Sequence, residues 1–316
     1  MIELGLDSLR RYPEFVRGVE EASGVACRFR EEGTLWAALD RDEAEELDHV
    51  EAIMRRKGLS ARRLGAEEVL DREPHLSGRI VSGLLVEHDL QVDPRELCRA
   101  LEGAVTRLGG EVRAGADVLS VVPARGGGFV LSTAPHGADA VGCEVAVLAA
   151  GAWASERIRL PVEGLRVRPV KGQLVRLRGS HLLRHVVRNP ECYVVPRADG
   201  ELLIGASVEE QGFDRTATAG AVHDLLRHGW RLLPGIYDLE LAELSVGLRP
   251  ALEDHLPAIG PTEVDGFHLA CGHFRSGVLL APATAHWLAE AIVRGELPPA
   301  LAPFTPARLG LAPREG

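Results

Sequence analysis

The sequence predicts a mixed α/β fold, α+β in its second half, and three observations carry that reading. Residues 93–153 run as a capped amphipathic helix, then strand, hairpin and strand. Strand-like runs dominate residues 166–250, with one helix among them. An apolar helix then begins after a glycine-flanked turn at 271–277. The first order suits an α/β layer carrying a small antiparallel insertion, and the second an antiparallel sheet rather than continued parallel winding. At 316 residues, 46% apolar and 26% charged, the chain is ordinary globular material with length enough for two domains.

Taken in order, residues 3–24 read as a helix stopped by Gly24, and "ACRFREEGTLWAALD" as extended chain around a Glu-Glu-Gly turn. Asp40 can cap the next helix, whose first turns are acidic and whose end carries Arg55, Arg56 and Lys57 before Gly58. "AEEVLDREPHL" is a shorter helix stopped ahead of Pro74, and "GLLVEHDLQV" is extended. Asp93-Pro94 is a helix start, an N-cap followed by proline at N1, and "RELCRALEGAVTRLGG" continues it to a glycine pair. The strand-like runs "EVRAGADVLSVVP", "GFVLSTAP" and "CEVAVLAAGAW" follow, the first two joined by "ARGGG". Then come "RVRPVKGQLVRL", the pair in "CYVVPRADGELLIGAS" hinged at Asp199-Gly200, the helix "AGAVHDLLRHGWRLLP", and "LELAELSVGLRP". "VLLAPATAHWLAEAIVRG" is the last helix, and the Pro/Ala-rich tail after it reads as loose.

A formal charge of −10 excludes nucleic acid or an acidic membrane as a main partner. Lysine stands only at Lys57 and Lys171, which reads as base-composition bias. Cys27, Cys98, Cys143, Cys192 and Cys271 are odd in number, scattered and without a C-x-x-C pair, as in reduced cytoplasmic proteins. No signal-peptide pattern opens the chain. The apolar run 277–289, broken by Pro282 and His286, is short of the roughly 18–20 residues a membrane span needs, so no membrane partner is expected.

Few residues carry chemistry. "VLAAGAWAS" (147–155) is an apolar strand ending in small residues and Gly151, which either meets a dinucleotide closely or simply turns. Arg249, between Gly-Leu and Pro in "VGLRPALEDHLPAIG", has restricted apolar neighbours and a guanidinium fork that suits a carboxylate. In "CGHFRSG" Arg275 precedes a helix whose open N–H groups and positive end favour negative charge, such as a phosphate or a reduced flavin edge; bridging of loop carbonyls is the alternative. Tyr193 could aim its hydroxyl into a pocket or be a half-buried sheet tyrosine. His181/His185 and His223/His228 lack a third ligand, so no metal is expected, and no P-loop, G-x-S-x-G or Cys-His constellation occurs.

In order and spacing, "LQVDPRELCRAL", "VLAAGAWAS", "RPVKGQLVRL", "CYVVPR", "ELLIGAS", "VGLRPALEDHLPAIG" and "GHFRSGVLLAPATA" resemble the flavin amino acid oxidases of the D-amino acid oxidase superfamily. Their nearest likeness is the glycine oxidase of thiamine biosynthesis. The resemblance implies a glutathione-reductase-type FAD domain (residues 1–31, 91–162 and 246–316) interleaved with an antiparallel-sheet substrate domain (32–90 and 163–245). It implies that Arg249 and Tyr193 hold a substrate carboxylate with Arg275 at the same site. For the cofactor it implies that His273, Phe274, Arg275, Ser276, Gly277, Val278 and Leu279 line the flavin, Val118 meets the adenine, and Gly151 borders FAD.

The reaction implied is oxidation of glycine or a similar small amino acid by FAD and O2, giving glyoxylate, ammonia and H2O2 in a cytoplasmic enzyme, and the assembly the resemblance suggests is a homotetramer. A D-amino acid or sarcosine-type oxidase or dehydrogenase, and a cofactor-free remnant, are the alternatives. Alignment of substrate matters more to such chemistry than an acid–base pair, and none is expected. The sequence departs from the family in two ways. It has no strand–G-x-G-x-x-G–helix unit for the FAD pyrophosphate, so the natural protein is expected to carry that unit upstream of Met1. Glu191 stands where the family commonly has histidine, and its charge is expected to bear on the substrate-site field.

Overall fold

A computed structural model describes residues 1–134 and 140–314. Pro135, the end of the strand-like run "GFVLSTAP", and the final two residues of the tail lie outside the described residues. The first third of the chain comprises α1 (Ile2–Ser23), β1 (Thr34–Ala38), α2 (Arg41–Arg56), β2 (Arg62–Gly65), α3 (Ala66–Arg72), β3 (Ser82–Val86) and α4 (Pro94–Arg107). Then come β4 (Asp117–Pro123), β5 (Phe129–Ala134), β6 (Val141–Cys143), β7 (Ala146–Leu148), β8 (Val162–Glu163), β9 (Arg168–Arg178), β10 (Val186–Arg188), β11 (Tyr193–Pro196) and β12 (Glu201–Gly205). The last are α5 (Ala219–Leu232), β13 (Glu240–Ala251), β14 (Ala258–Pro261), β15 (Phe267–Cys271), α6 (Gly277–Arg294) and β16 (Ala312–Pro313).

The local signals act as elementary chemistry requires. Gly24 takes the left-handed conformation that ends α1, at φ 71°. Asp40 accepts from the Glu43 N–H and Asp93 from the Arg95 and Glu96 N–H groups, capping α2 and α4. Gly200, at φ 83°, turns β11 into β12.

These strands build one eight-stranded sheet in the order β13-β9-β12-β11-β10-β1-β3-β2. Every pairing in it is antiparallel except β1 with β10. Side chains alternate across a sheet. Leu35, Val175, Val187, Val194 and Ile204 therefore enter one face, where Val69 of α3 and Leu225 and Leu232 of α5 bury them. Trp36, Leu174, Arg188, Tyr193 and Arg249 fall on the other face, which holds the candidate site.

A second sheet, β14-β15-β7, has β15 parallel to β7, and a separate antiparallel layer is β4-β5-β6. The run "CEVAVLAAGAW", read from sequence as one strand, is divided between these two sheets. Phe129 and Phe267 pack at 5.9 Å in the core that joins them.

Helix α6 contains Pro282, which has no N–H to give the carbonyl four residues back, at Val278. Helix α1 supplies the replacement. The Tyr12 hydroxyl donates to the Val278 carbonyl at 2.5 Å, and the Ala283 N–H donates to Ser8 Oγ at 3.2 Å. Trp287 Nε1 adds a bond to Asp7 at 2.7 Å. Burial of Tyr12 pushes its hydroxyl pKa up to about 12, so it remains a donor at all ordinary pH. With the turn before it, α6 runs 21 residues from Phe274 to Arg294 and is apolar enough to cross a membrane by length and composition, longer than the run 277–289 suggested. Here Leu280, Ala283 and Leu288 are buried in a core shared with Leu4 and Ile259.

The tail corrects its sequence reading. Leu301 and Phe304 are buried and Arg308 bonds Asp254, because proline-fixed 3-10 turns aim spaced apolar residues back onto the core.

Candidate active site

The open face of the large sheet, α1 and the start of α6 enclose a cavity of about 370 Å³, lined among others by Tyr12, Thr34, Leu174, Tyr193, Val278 and Leu279. Two glycines on the same sheet face set the polar side chains beside it. A Cβ at Gly205 would lie 2.5 Å from the Tyr193 ring and hydroxyl, so the ring rests directly over that backbone. At Gly172 a Cβ would lie 2.6 Å from Arg249 Cζ, so the guanidinium occupies the space a side chain would fill. Because Gly172 and Gly205 stand on the adjacent strands β9 and β12, Arg249 and Tyr193 lean toward one another.

Arg249 Nη1 donates to the carbonyls of Ser207 (3.0 Å) and Lys171 (3.3 Å). Among the described residues no carboxylate comes within ion-pair distance of it. Burial lowers its pKa, with the Tyr193 hydroxyl opposing and Arg275 reinforcing that direction. Tyr193 is pushed up by burial, against the pull of Arg249 and Arg188. The result is a half-buried, positively charged cleft with hydroxyl and guanidinium donors side by side, chemistry that holds a carboxylate.

The Arg275 turn stands at its edge. Gly272, at φ 75°, packs onto Leu252, and Ala251 at the end of β13 bridges to His273, which ties the turn to the Arg249 strand. Arg275 is exposed and lies over the Phe274 ring at 5.3 Å, and that ring meets His255 edge-on at 4.8 Å. The first turn of α6 has no side-chain cap from Ser276 and no acidic residue, so no side chain of the turn competes for its N–H groups. Val278 and Leu279 remain 47% and 41% exposed, an apolar surface beside those donors.

His273 turns inward to share a 3.0 Å hydrogen bond with Thr284, and burial lowers its pKa to about 4. It is neutral in the folded chain at pH 7. In an unfolded chain it would take a proton below about pH 6.5, so this contribution to stability is complete above that pH and is lost as pH falls toward 4. We expect His273→Gln to remove up to about 3 kcal/mol of pH dependence in that window, read as the difference between the two proteins' unfolding curves at pH 7 and pH 4.5. Parallel pH profiles would overturn the assignment.

Val118 and Gly151 lie elsewhere. With Asp117, Ala150, Trp153 and Arg157, Val118 lines a second cavity of about 650 Å³, and Gly151 (φ 56°) follows Ala150 at its rim. A strap, residues 206–218, runs between the two ends. Phe213 touches the Trp153 ring at 6.2 Å while the Ser207 carbonyl holds Arg249. The strap is anchored by Lys171, whose fully buried Nζ donates to Asp214 at 2.5 Å and holds that carboxyl at about 2.

Several residues here escape sequence reasoning. Glycines inside strands, such as Gly172 and Gly205, are a signal of close approach that could have found Arg249's and Tyr193's resting places. Arg188, on the same face in register with Tyr193, gave no local signal at all. Glu191 turns away from the cleft, its carboxylate 2.6 Å from His228 on α5. His185 bonds the buried Glu73 at 2.7 Å, and no group of three or more His, Cys, Asp or Glu that could hold a metal forms among the described residues.

Residues 1–291 match the family model DAO, FAD dependent oxidoreductase. The chain is 32% identical over 309 residues to the hydrogen cyanide synthase subunit HcnC of Pseudomonas aeruginosa, covering 97% of this chain and 74% of that protein. It is 31% identical to the bifunctional protein ThiO/ThiG of Synechocystis, covering 98% of this chain and 45% of that one. The glycine oxidase of Geobacillus kaustophilus is 32% identical, with 98% and 82% covered. Its crystal structure superposes at a TM-score of 0.86, covering 96% of this chain and 82% of that one.

Proposed function

The chain belongs to the DAO family of FAD-dependent oxidoreductases, as an amino acid oxidase whose cofactor is FAD, and from that premise we propose that its substrate is glycine or a similar small amino acid. The observation that carries the proposal is Arg249, laid over Gly172 beside the Tyr193 hydroxyl with no carboxylate among the described residues to pair with. A substrate carboxylate is the anion that site lacks, and two parallel charge-assisted bonds would fix the amino acid by its backbone end.

The residues present fit FAD at its two ends. The open N–H groups at the start of α6, with exposed Val278 and Leu279 beside them, suit a flat ring with a polar edge. In this reading His273 to Leu279 line that ring, Val118 approaches the adenine, and Gly151 borders the cofactor. G-x-G-x-x-G does not occur in the 316 residues, and no residue is assigned to the pyrophosphate. FAD, when bound, supplies a two-electron acceptor that oxygen regenerates. Arg249 and Tyr193 hold the carboxylate, Arg275 adds positive charge at the same edge, and the walls of Leu174, Val278 and Leu279 exclude water. Overall, glycine, O2 and water give glyoxylate, ammonia and H2O2. We assign residues 1–31, 91–162 and 246–316 to the FAD domain and 32–90 and 163–245 to the substrate domain; the sheet drawn from 34–86 and 168–245 supports this division, and its edge strand β13 carries on across the boundary to Ala251.

A role in thiamine thiazole formation rests on the ThiO/ThiG relative, and a cytoplasmic homotetramer on family likeness alone. The relative named as a hydrogen cyanide synthase subunit supports a second reading, in which cyanide is the product. Substrate profiling separates them. With glycine, sarcosine and D-alanine, we expect glyoxylate (or pyruvate) and H2O2 in equal amounts from the FAD-loaded protein. Cyanide as the product would establish the second reading, and no turnover of any amino acid would overturn both.

A further inference from the structure

We propose that Arg188 is a second anion-binding arginine of this cleft, so that the favoured substrate is an amino acid carrying a second carboxylate, at the end of its side chain or of an N-substituent. The inference rests on the substrate site proposed above and narrows its substrate class. Its starting point is the sheet register. Trp36 of β1 pairs with Arg188 of β10, and Arg188 pairs in turn with Tyr193 of β11, so the three side chains form one row on the face that carries Arg249.

The Arg188 guanidinium carbon lies over the Trp36 indole, 3.9 Å from the ring centroid. Stacking fixes the plane of the fork while leaving its N–H edges directed outward, which is the arrangement that binds a carboxylate through two parallel bonds. No acidic group lies within ion-pair distance of it among the described residues. The nearby acid is Asp89, itself engaged by Thr34. Partial burial lowers the pKa of Arg188 against the pull of Asp89 and Tyr193, with Arg275 adding to the lowering, while the residue keeps an exposed surface through which an anion can reach it.

The number of guanidinium forks decides what fills the cleft. Arg249 and Arg188 both act on Tyr193 from opposite sides of it along the sheet, and one α-carboxylate engages only one fork. Arg249 and Tyr193 already provide donors enough for that group. Arg188 stands toward the β1 side of the sheet, beyond Tyr193, and is left for an anion further along the substrate. Glycine would occupy only the Arg249 end. A dicarboxylic amino acid would occupy both.

Inert carboxylates test this without turnover. Glutarate and butyrate have similar length and differ by one charge, and each is titrated calorimetrically into the full chain with FAD in excess. We expect glutarate to bind about tenfold more tightly than butyrate, as a second charge-assisted contact implies. Arg188→Gln should abolish that preference with butyrate affinity unchanged, and Arg188→Lys, which keeps the charge but loses the fork, should restore part of it. Melting curves of both variants confirm that they are folded. Equal affinities for the two acids, or a glutarate preference that survives Arg188→Gln, would overturn the inference. If instead Arg249→Ala leaves butyrate affinity unchanged, it is the underlying assignment of the substrate site that fails.

Discussion

Arg249→Ala is expected to lower kcat/KM for amino acid substrates by about 10²- to 10³-fold, the scale on which truncating one partner of a buried hydrogen-bonded charge pair acts. The guanidinium is half-buried, meets two carbonyls and pairs with no acid among the described residues, so its removal takes charge from the cleft without stranding a protein anion. Stability should therefore change little, and the flavin absorption band should be retained, because the turn at 273–279 is held separately by Thr284, Tyr12 and Ser8. Steady-state kinetics with the FAD-loaded variant provide the test. Unchanged kinetics on carboxylate substrates would remove Arg249 from the site.

The second large effect belongs to a residue with no side chain. A methyl group on Gly172 would stand 2.6 Å from Arg249 Cζ, closer than carbon atoms approach, so Gly172→Ala must push the guanidinium off its carbonyls and away from Tyr193. We expect a loss of about 10- to 100-fold in kcat/KM, with thermal stability little changed, because the displaced atoms are the free end of a flexible side chain. The double variant makes the argument sharp. If Gly172 acts only by housing Arg249, then Gly172→Ala should cost almost nothing further once Arg249 is alanine. Full additivity of the two losses would show that the glycine serves something else.

Legibility in the sequence follows the range of the interaction. Gly24, Asp40, Asp93-Pro94, Asp199-Gly200 and the start of α6 at Gly277 are local devices, each satisfied within a few residues, and each is where the pattern predicts. The pairing of β1 with β10, some 150 residues apart, has no local signature, because hydrophobic alternation says which face a strand buries but not who its neighbour is. The run at 143–153 was unreadable for a related reason, since one apolar stretch serves two sheets. At the site, Arg249 and Arg275 are marked by proline and glycine neighbours, whereas Arg188 is one arginine among many until the register sets it on Trp36 and beside Tyr193. Glu191 shows the converse error. Its charge is real, but His228 draws it to the far side of the sheet.

Pro282 has a further consequence, best put in terms of motion. A regular helix carries its own first turn; α6 does not, because the acceptor that would close that turn is bonded by Tyr12 and the next donor by Ser8. The start of α6 and the body of α1 are therefore expected to open together, which matching hydrogen-exchange protection of the two segments would show. Whatever loosens α1, even on its outer surface, loosens the ledge on which the flavin is proposed to rest. A ligand that tightens that ledge stabilises α1 by the same amount.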